Sequence, residues 1–208
     1  MKLYEFGPTR AIRARWALQE LDVPFEAITV NLLEGENRSP DFLRINPAGK
    51  LPALVDDGFV LTESVAIVTY LAEKFPRGRL LPDHSRARAE LNRWMLFTVT
   101  ELEQPLWRIA RHSFIYPEAQ RLPSDIEIAR GEFKQMAAVL DQHMHEREFL
   151  MGDHVSVGDF ILAHTLDWAN EEHLLNEFPS LIDYMTRMYA RPKAPMRIAD
   201  AAASVGMA

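Results

Sequence analysis

Apolar and polar positions follow two different rhythms along this chain. In the first third, short apolar runs stand between turn residues. Residues 2–6 form one such run, closed by Gly7-Pro8, and residues 25–30 form another. Between them, residues 10–21 place Ile12, Trp16, Leu18 and Leu21 on one side of a helix. Asp22-Val23-Pro24 ends that helix. The unit is β-α-β, a crossover that normally pairs its two strands in parallel. Residues 32–39 are polar and loop-like, and residues 40–45 read as a short helix opened by a proline in its first turn. A stretch dense in turn residues follows, from Asn46 to Pro52. Residues 53–56 and 59–61 are then two short strands around Asp57-Gly58, a strong hairpin signal. Helical spacing returns over 64–75 through Ile67, Tyr70, Leu71 and Phe75.

The order β-α-β followed by β-β-α is that of a thioredoxin-like layer. Residues 77–85 carry charges, a glycine and a proline and read as a linker. Everything beyond has helical character: 86–111, with Pro105 predicted to kink or divide it, then 125–145, 157–170, 179–190 and 192–203. The fold class is therefore an α/β thioredoxin-like N-terminal domain (residues 1–76) plus an all-α C-terminal helical bundle (residues 86–208).

Composition narrows the function. The chain has 208 residues, 48% hydrophobic and 25% charged, as expected of a globular protein with a real core. Its formal net charge is −7, which argues against nucleic-acid binding. The best local basic patch is Arg10, Arg13 and Arg15. No apolar run approaches the ~20 residues needed to span a bilayer. No signal stretch precedes the first strand, so a cytoplasmic protein is the plain expectation. There is no cysteine, which excludes disulfides, thiolate metal sites and a cysteine nucleophile. His143 and His145 are two apart and do not share a helix face, so no metal site is expected. His164 sits in an apolar helix and reads as a core histidine.

Two short stretches carry candidate chemistry. Pro52 opens a strand, and proline reaches the cis form more readily than other residues. A cis Pro52 would expose the N–H and C=O of Leu51 for pairing with an extended peptide. A proline that merely ends a loop fits the local sequence as well. Ser64 stands where a helix begins. It can be an N-cap, or it can join the helix-start amides in holding a carboxylate while Glu63 holds an ammonium group.

Together, Asn46-Pro47-Ala48-Gly49-Lys50-Leu51-Pro52-Ala53-Leu54 and Leu61-Thr62-Glu63-Ser64 resemble the glutathione-binding signature of the cytosolic glutathione transferases. The relatives it suggests are bacterial-type, theta-like or serine-type members. The resemblance runs from Lys2 to about Pro192. It implies that Leu51 pairs with the cysteinyl backbone of glutathione and that Pro52 is cis. Glu63 and Ser64 match the residues that hold the γ-glutamyl end, and Lys50 matches a basic residue near the glycyl carboxylate. It also implies a homodimer using helices 64–75 and 86–111, and no cofactor beyond glutathione itself.

The thiol-activating group should lie at the start of the first helix, where amides and the helix dipole favour a thiolate. Family members use Tyr, Ser or Cys there. This chain departs from that pattern, with Pro8 at the usual serine position. Thr9 is the only hydroxyl of the loop and takes the role, with Arg10 as the alternative. The electrophile pocket is expected where the first long helix faces the α/β domain, with Trp107, Arg108, Arg111, His112 and Phe114 as candidates. Conjugation of a small hydrophobic electrophile is the expected reaction. Glutathione-dependent peroxide reduction stays open, and a non-catalytic glutathione-binding or regulatory protein of the same fold is the rival.

Overall fold

A computed structural model describes residues 1–207. Its first unit comprises Met1–Leu81 together with Tyr189–Ala208, and its second comprises Pro82–Met188.

The first unit is built on four strands: β1 (Lys2–Glu5), β2 (Glu26–Thr29), β3 (Ala53–Asp56) and β4 (Phe59–Thr62). Their order is β2-β1-β3-β4. β1 and β2 are parallel, as a crossover through helix α1 (Ala11–Glu20) requires. β1–β3 and β3–β4 are antiparallel, with Leu3 opposite Leu54 and Tyr4 opposite Ala53. The central strands are the buried ones. Leu3, Ala53 and Leu54 are fully enclosed, whereas β2 and β4 are short, largely uncovered edges. Asp57 (φ 48°) and Gly58 (φ 86°) both take positive φ, the two-residue turn that an Asp-Gly hairpin predicts. Helices α2 (Pro40–Ile45) and α3 (Ser64–Lys74) complete the layer. The loop before α2 carries a short 3₁₀ turn at Glu36–Arg38 that its polar sequence does not announce.

Asp56, at the end of β3, receives the Tyr70 hydroxyl at 2.5 Å and the ammonium of Lys74. These contacts fasten the hairpin to α3. The candidate basic patch of Arg10, Arg13 and Arg15 does not form a surface patch. Arg13 is fully buried, and Arg15 is paired with Glu5.

In the second unit, the helix expected over 86–111 is divided. It runs as α4 (Ser85–Phe97), a wide π turn (Thr98–Leu102) and α5 (Glu103–Ala110). Pro105 has no N–H to offer Glu101, and the π turn absorbs the mismatch without ending the helix. Thr98 and Thr100 hydroxyls donate to the carbonyls of Trp94 (2.8 Å) and Leu96 (3.0 Å), a back-bonding that also bends helices. Helices α6 (Pro123–Met144), α7 (Val157–Glu171) and α8 (Pro179–Tyr189) follow.

α7 is the core helix, buried nearly all round. Its start is a capping box in which Asp159 accepts from Ser156 N at 2.8 Å and Ser156 Oγ at 2.8 Å. Leu150 N and Tyr184 Oη, each at 2.7 Å, complete the shell of this buried carboxyl. Burial raises the Asp159 pKa, and these donors oppose the rise.

The C-terminal residues differ from expectation. Helix α9 begins only at Ile198 and ends at Ser204, and residues 192–197 are not helical. Residues from Tyr189 onward belong to the first unit, not to the helical one.

Candidate glutathione site

Three segments of the first unit converge on the region that the sequence singles out. The first is the turn Gly7-Pro8-Thr9 between β1 and α1. The Thr9 hydroxyl donates to Phe6 O at 2.7 Å and accepts from Ala11 N at 3.3 Å. Its single proton is therefore held by a carbonyl of β1's extension, and the group starts the helix in this geometry. Arg10 follows as the N-cap residue, with φ −60° and ψ −2°.

The second segment is the loop from Asn46 to Pro52. Asn46 is buried and organises it. Asn46 Oδ1 accepts from Ala48 N at 3.1 Å, and Nδ2 donates to Lys50 O at 2.7 Å. Asn37 Nδ2 donates to Gly49 O at 2.8 Å. Gly49 has φ 62°, and a Cβ there would lie 2.9 Å from Asn37 O, so only glycine fits. Lys50 is exposed. The Leu51–Pro52 bond is cis, as the resemblance implied. The Leu51 side chain is buried with Phe6, Val30 and Phe42. Among the described residues, no backbone hydrogen bond engages its N–H or C=O. That leaves both groups available to an added extended peptide.

The third segment is the start of α3. Ser64 is not the N-cap. Glu63 is, and its carbonyl accepts the first helical bond from Ile67 N at 3.0 Å. Glu63 has φ 66° and ψ 116°, far from any well comfortable for a residue with a Cβ. No side chain caps the first turn of α3, which leaves helix-start amides for a ligand. Ser64 is buried, and its Oγ accepts from Arg13 Nη1 at 3.3 Å. The serine hydrogen thus stays available to donate outward. A buried guanidinium and the positive end of α3 meet at one hydroxyl, an arrangement that favours an anion.

The sequence names Arg13 only within a candidate basic patch and not as the partner of Ser64. The signal was present: Arg13 stands three and four residues before Trp16 and Ala17, both buried on α1.

The five candidates from the helical unit cluster around α5 and the π turn after it (Arg111–Ile115). Trp107 meets Trp168 edge-on, with centroids 5.2 Å apart. Arg108 binds Asp125 through Nε at 3.0 Å and also pairs with Glu132. That guanidinium holds the Asp125 carboxyl below its usual range. His112 Nδ1 accepts from Leu122 N at 3.1 Å, and its Nε2 lies 3.4 Å from Asp125. Arg111 stands 6.0 Å from the Trp107 ring. Arg108 thus joins α5 to α6, and His112 joins the following π turn to the start of α6. Phe114 is 63% exposed. Among the described residues no group of His, Asp and Glu side chains could hold a metal ion, and no helix is long and apolar enough to cross a membrane.

Comparison with known proteins agrees with this architecture. Residues 1–73 match the family model for the glutathione S-transferase N-terminal domain, and residues 103–192 match that for the C-terminal domain. A glutathione S-transferase of Xanthomonas campestris is 32% identical over 192 residues, covering 91% of this chain and 93% of the relative. Glutathione S-transferase 1 of Dianthus caryophyllus is 36% identical over 168 residues, covering 78% and 74%. Among solved structures, a glutathione transferase from Phanerochaete chrysosporium in complex with oxidized glutathione superposes with a TM-score of 0.83 at 26% identity, covering 99% of this chain and 96% of that one. Both the four-stranded layer and the helical unit thus match the family's domains, and this chain belongs to the glutathione S-transferase family.

Proposed function

We propose that this glutathione transferase holds glutathione along Leu51, Glu63 and Ser64, with its thiolate at the start of α1. The convergence at Ser64 carries the reading. Its hydroxyl, the α3 amides and the guanidinium of Arg13 suit the γ-glutamyl carboxylate, while the Glu63 carboxylate suits the adjacent ammonium. Leu51 N–H and C=O pair with the cysteinyl residue, next to Pro52. Lys50, exposed at the rim, attracts the glycyl carboxylate.

The chemistry is substitution at an electrophile. The thiol gives its proton to solvent, the sulfur forms a bond to the electrophilic atom, and the leaving group departs with its electron pair. The start of α1 favours the thiolate through its dipole. Thr9 contributes a hydrogen bond only if its proton leaves Phe6 O for the sulfur, a rotation about one side-chain bond. Arg10 is the second group at that point. Trp107, Arg111 and Phe114 remain the candidates for contact with a hydrophobic electrophile. Arg108 and His112 are better placed to support them, because their polar atoms already bind Asp125 and Leu122.

A homodimer through α3 and α4 belongs to the same reading. Exposed Phe59 and Val60 on the edge strand β4, and exposed Leu96 on α4, supply apolar surface for it. Cytoplasmic residence, where thiols are kept reduced, also belongs to it. Titration with glutathione tests the core of the proposal. Binding should generate thiolate absorbance near neutral pH and should weaken at least tenfold in Ser64→Ala. No binding by the wild type at millimolar glutathione would refute it.

A further inference from the structure

Gly7, beside the thiol-activating turn, is a glycine for a reason that lies elsewhere in the chain. Its φ is ordinary for any residue, so the backbone does not demand glycine. Space does. A Cβ at Gly7 would stand 2.8 Å from Val205 Cγ2 and 3.3 Å from Ala201 O. Both belong to the C-terminal segment. Val205 also packs against the buried cluster of Phe6, Val30, Phe42 and Leu51. Phe6 supplies the carbonyl that holds the Thr9 hydroxyl, and Leu51 carries the backbone edge for glutathione. One side chain therefore stands against Gly7 and against the cluster to which Phe6 and Leu51 both belong.

The segment that delivers Val205 is firmly held. Arg191 pairs with Glu20, and Lys193 Nζ reaches Asp22 Oδ2 at 2.6 Å and Glu20 O at 3.3 Å, all at the carbonyl end of α1. Tyr189 packs on Trp16 with ring centroids 4.9 Å apart. After α9 the chain closes in a Schellman motif. Met207 N bonds Ala202 O at 3.0 Å, Gly206 N bonds Ala203 O at 3.1 Å, and Gly206 takes φ 74°. This termination fixes Val205 as the C-cap residue of α9, where it lies against Gly7.

We infer that Val205 is a positioning residue for the glutathione site, wedged between the Gly7 turn and the Leu51 loop so that the thiol and the cysteinyl backbone are held in register. The inference rests on the glutathione-binding reading above.

The test exploits the reciprocity of the contact. Gly7→Ala should push the turn away from Val205, raise the KM for glutathione about tenfold to a hundredfold, and raise the pH at which bound glutathione ionises, since displacement of ~1 Å at a reacting centre has effects of this size. The added methyl meets chiefly the two Val205 methyls, so Gly7→Ala/Val205→Ala should recover most of both losses. Val205→Ala alone, which leaves the cluster underfilled, should raise KM several-fold and shift the ionisation in the same direction, and Val205→Ile should restore both. Thermal melting run in parallel separates loss of stability from loss of positioning. Should Gly7→Ala not fold, the Val205 pair decides. A folded Val205→Ala with wild-type KM and ionisation overturns the inference, as does a double variant no better than a folded Gly7→Ala. Wild-type protein that binds no glutathione overturns both this inference and the reading beneath it, whereas unaltered variants of a binding wild type overturn this inference alone.

Discussion

Glu63 stores backbone strain, and two substitutions at this one position measure it. With φ 66° and ψ 116°, it lies outside even the small left-handed helical well. Such conformations cost about 1–3 kcal/mol for a residue with a Cβ. Glycine escapes that penalty but adds unfolded-state entropy of about 0.5–1 kcal/mol. Alanine keeps the penalty and removes the carboxylate. Glu63→Gly should therefore be more stable than Glu63→Ala by up to roughly 2.5 kcal/mol. Because the side chain makes no capping hydrogen bond, its removal adds little to either side of the comparison. For a protein of this size, that gap is a difference in Tm of up to about 10 °C. Urea denaturation at neutral pH, with equal slopes required for both variants, gives the free-energy difference directly. Both variants should bind glutathione about tenfold to a hundredfold more weakly, since each loses the carboxylate proposed to hold the γ-glutamyl ammonium. Stability and binding then move in opposite directions in Glu63→Gly. A glycine variant less stable than the alanine variant would show that position 63 is not strained and would remove strain from the account of the site.

Other outcomes follow from single contacts. Arg13→Met leaves Ser64 Oγ without its buried donor and should weaken glutathione binding about tenfold, measured by calorimetry; unchanged affinity would detach Arg13 from the site. Thr9→Ala removes the hydroxyl that bonds Phe6 O and Ala11 N and should lower stability by about 1 kcal/mol; an unaltered pH profile of thiolate absorbance would assign thiol activation to the amides or Arg10 and not to Thr9. Gly49→Ala should destabilise by about 1–3 kcal/mol on thermal melting, because φ 62° and the nearby Asn37 O both resist a Cβ. Hydrogen bonds from Lys74, then Tyr70, hold the Asp56 carboxyl below its ordinary value of 3.8. A depressed folded-state pKa means that this stabilisation is fully present above pH 3.8 and is lost as pH falls through the lower folded value. The Tm gap between wild type and Asp56→Asn should accordingly be open at neutral pH and close under acid; a gap that widens as pH falls would reverse the sign.

The sequence by itself determined the elements whose cause is local. Alternation and helical spacing located all four strands and the principal helices within a few residues. Asp57-Gly58 specified its turn because few residues tolerate positive φ, and Ser156 with Asp159 specified the start of α7 through a capping box that spans one helical turn. The Leu51-Pro52 and Glu63-Ser64 pairs were legible because their spacing is tied to a hairpin. Tertiary structure alone decided the rest. Which residue of Glu63-Ser64 caps α3 depends on a dihedral angle that the β4–α3 junction imposes. Arg13 reads as a surface charge until α1 packs on α3 and places it against Ser64. Gly7 reads as a turn glycine until residues near 200 return to it, a closure across almost the whole chain that no local pattern encodes. Local preferences select conformations one turn at a time, whereas burial and close approach are properties of segments brought together from far apart. The partner of Gly7 was therefore fixed only when the fold closed.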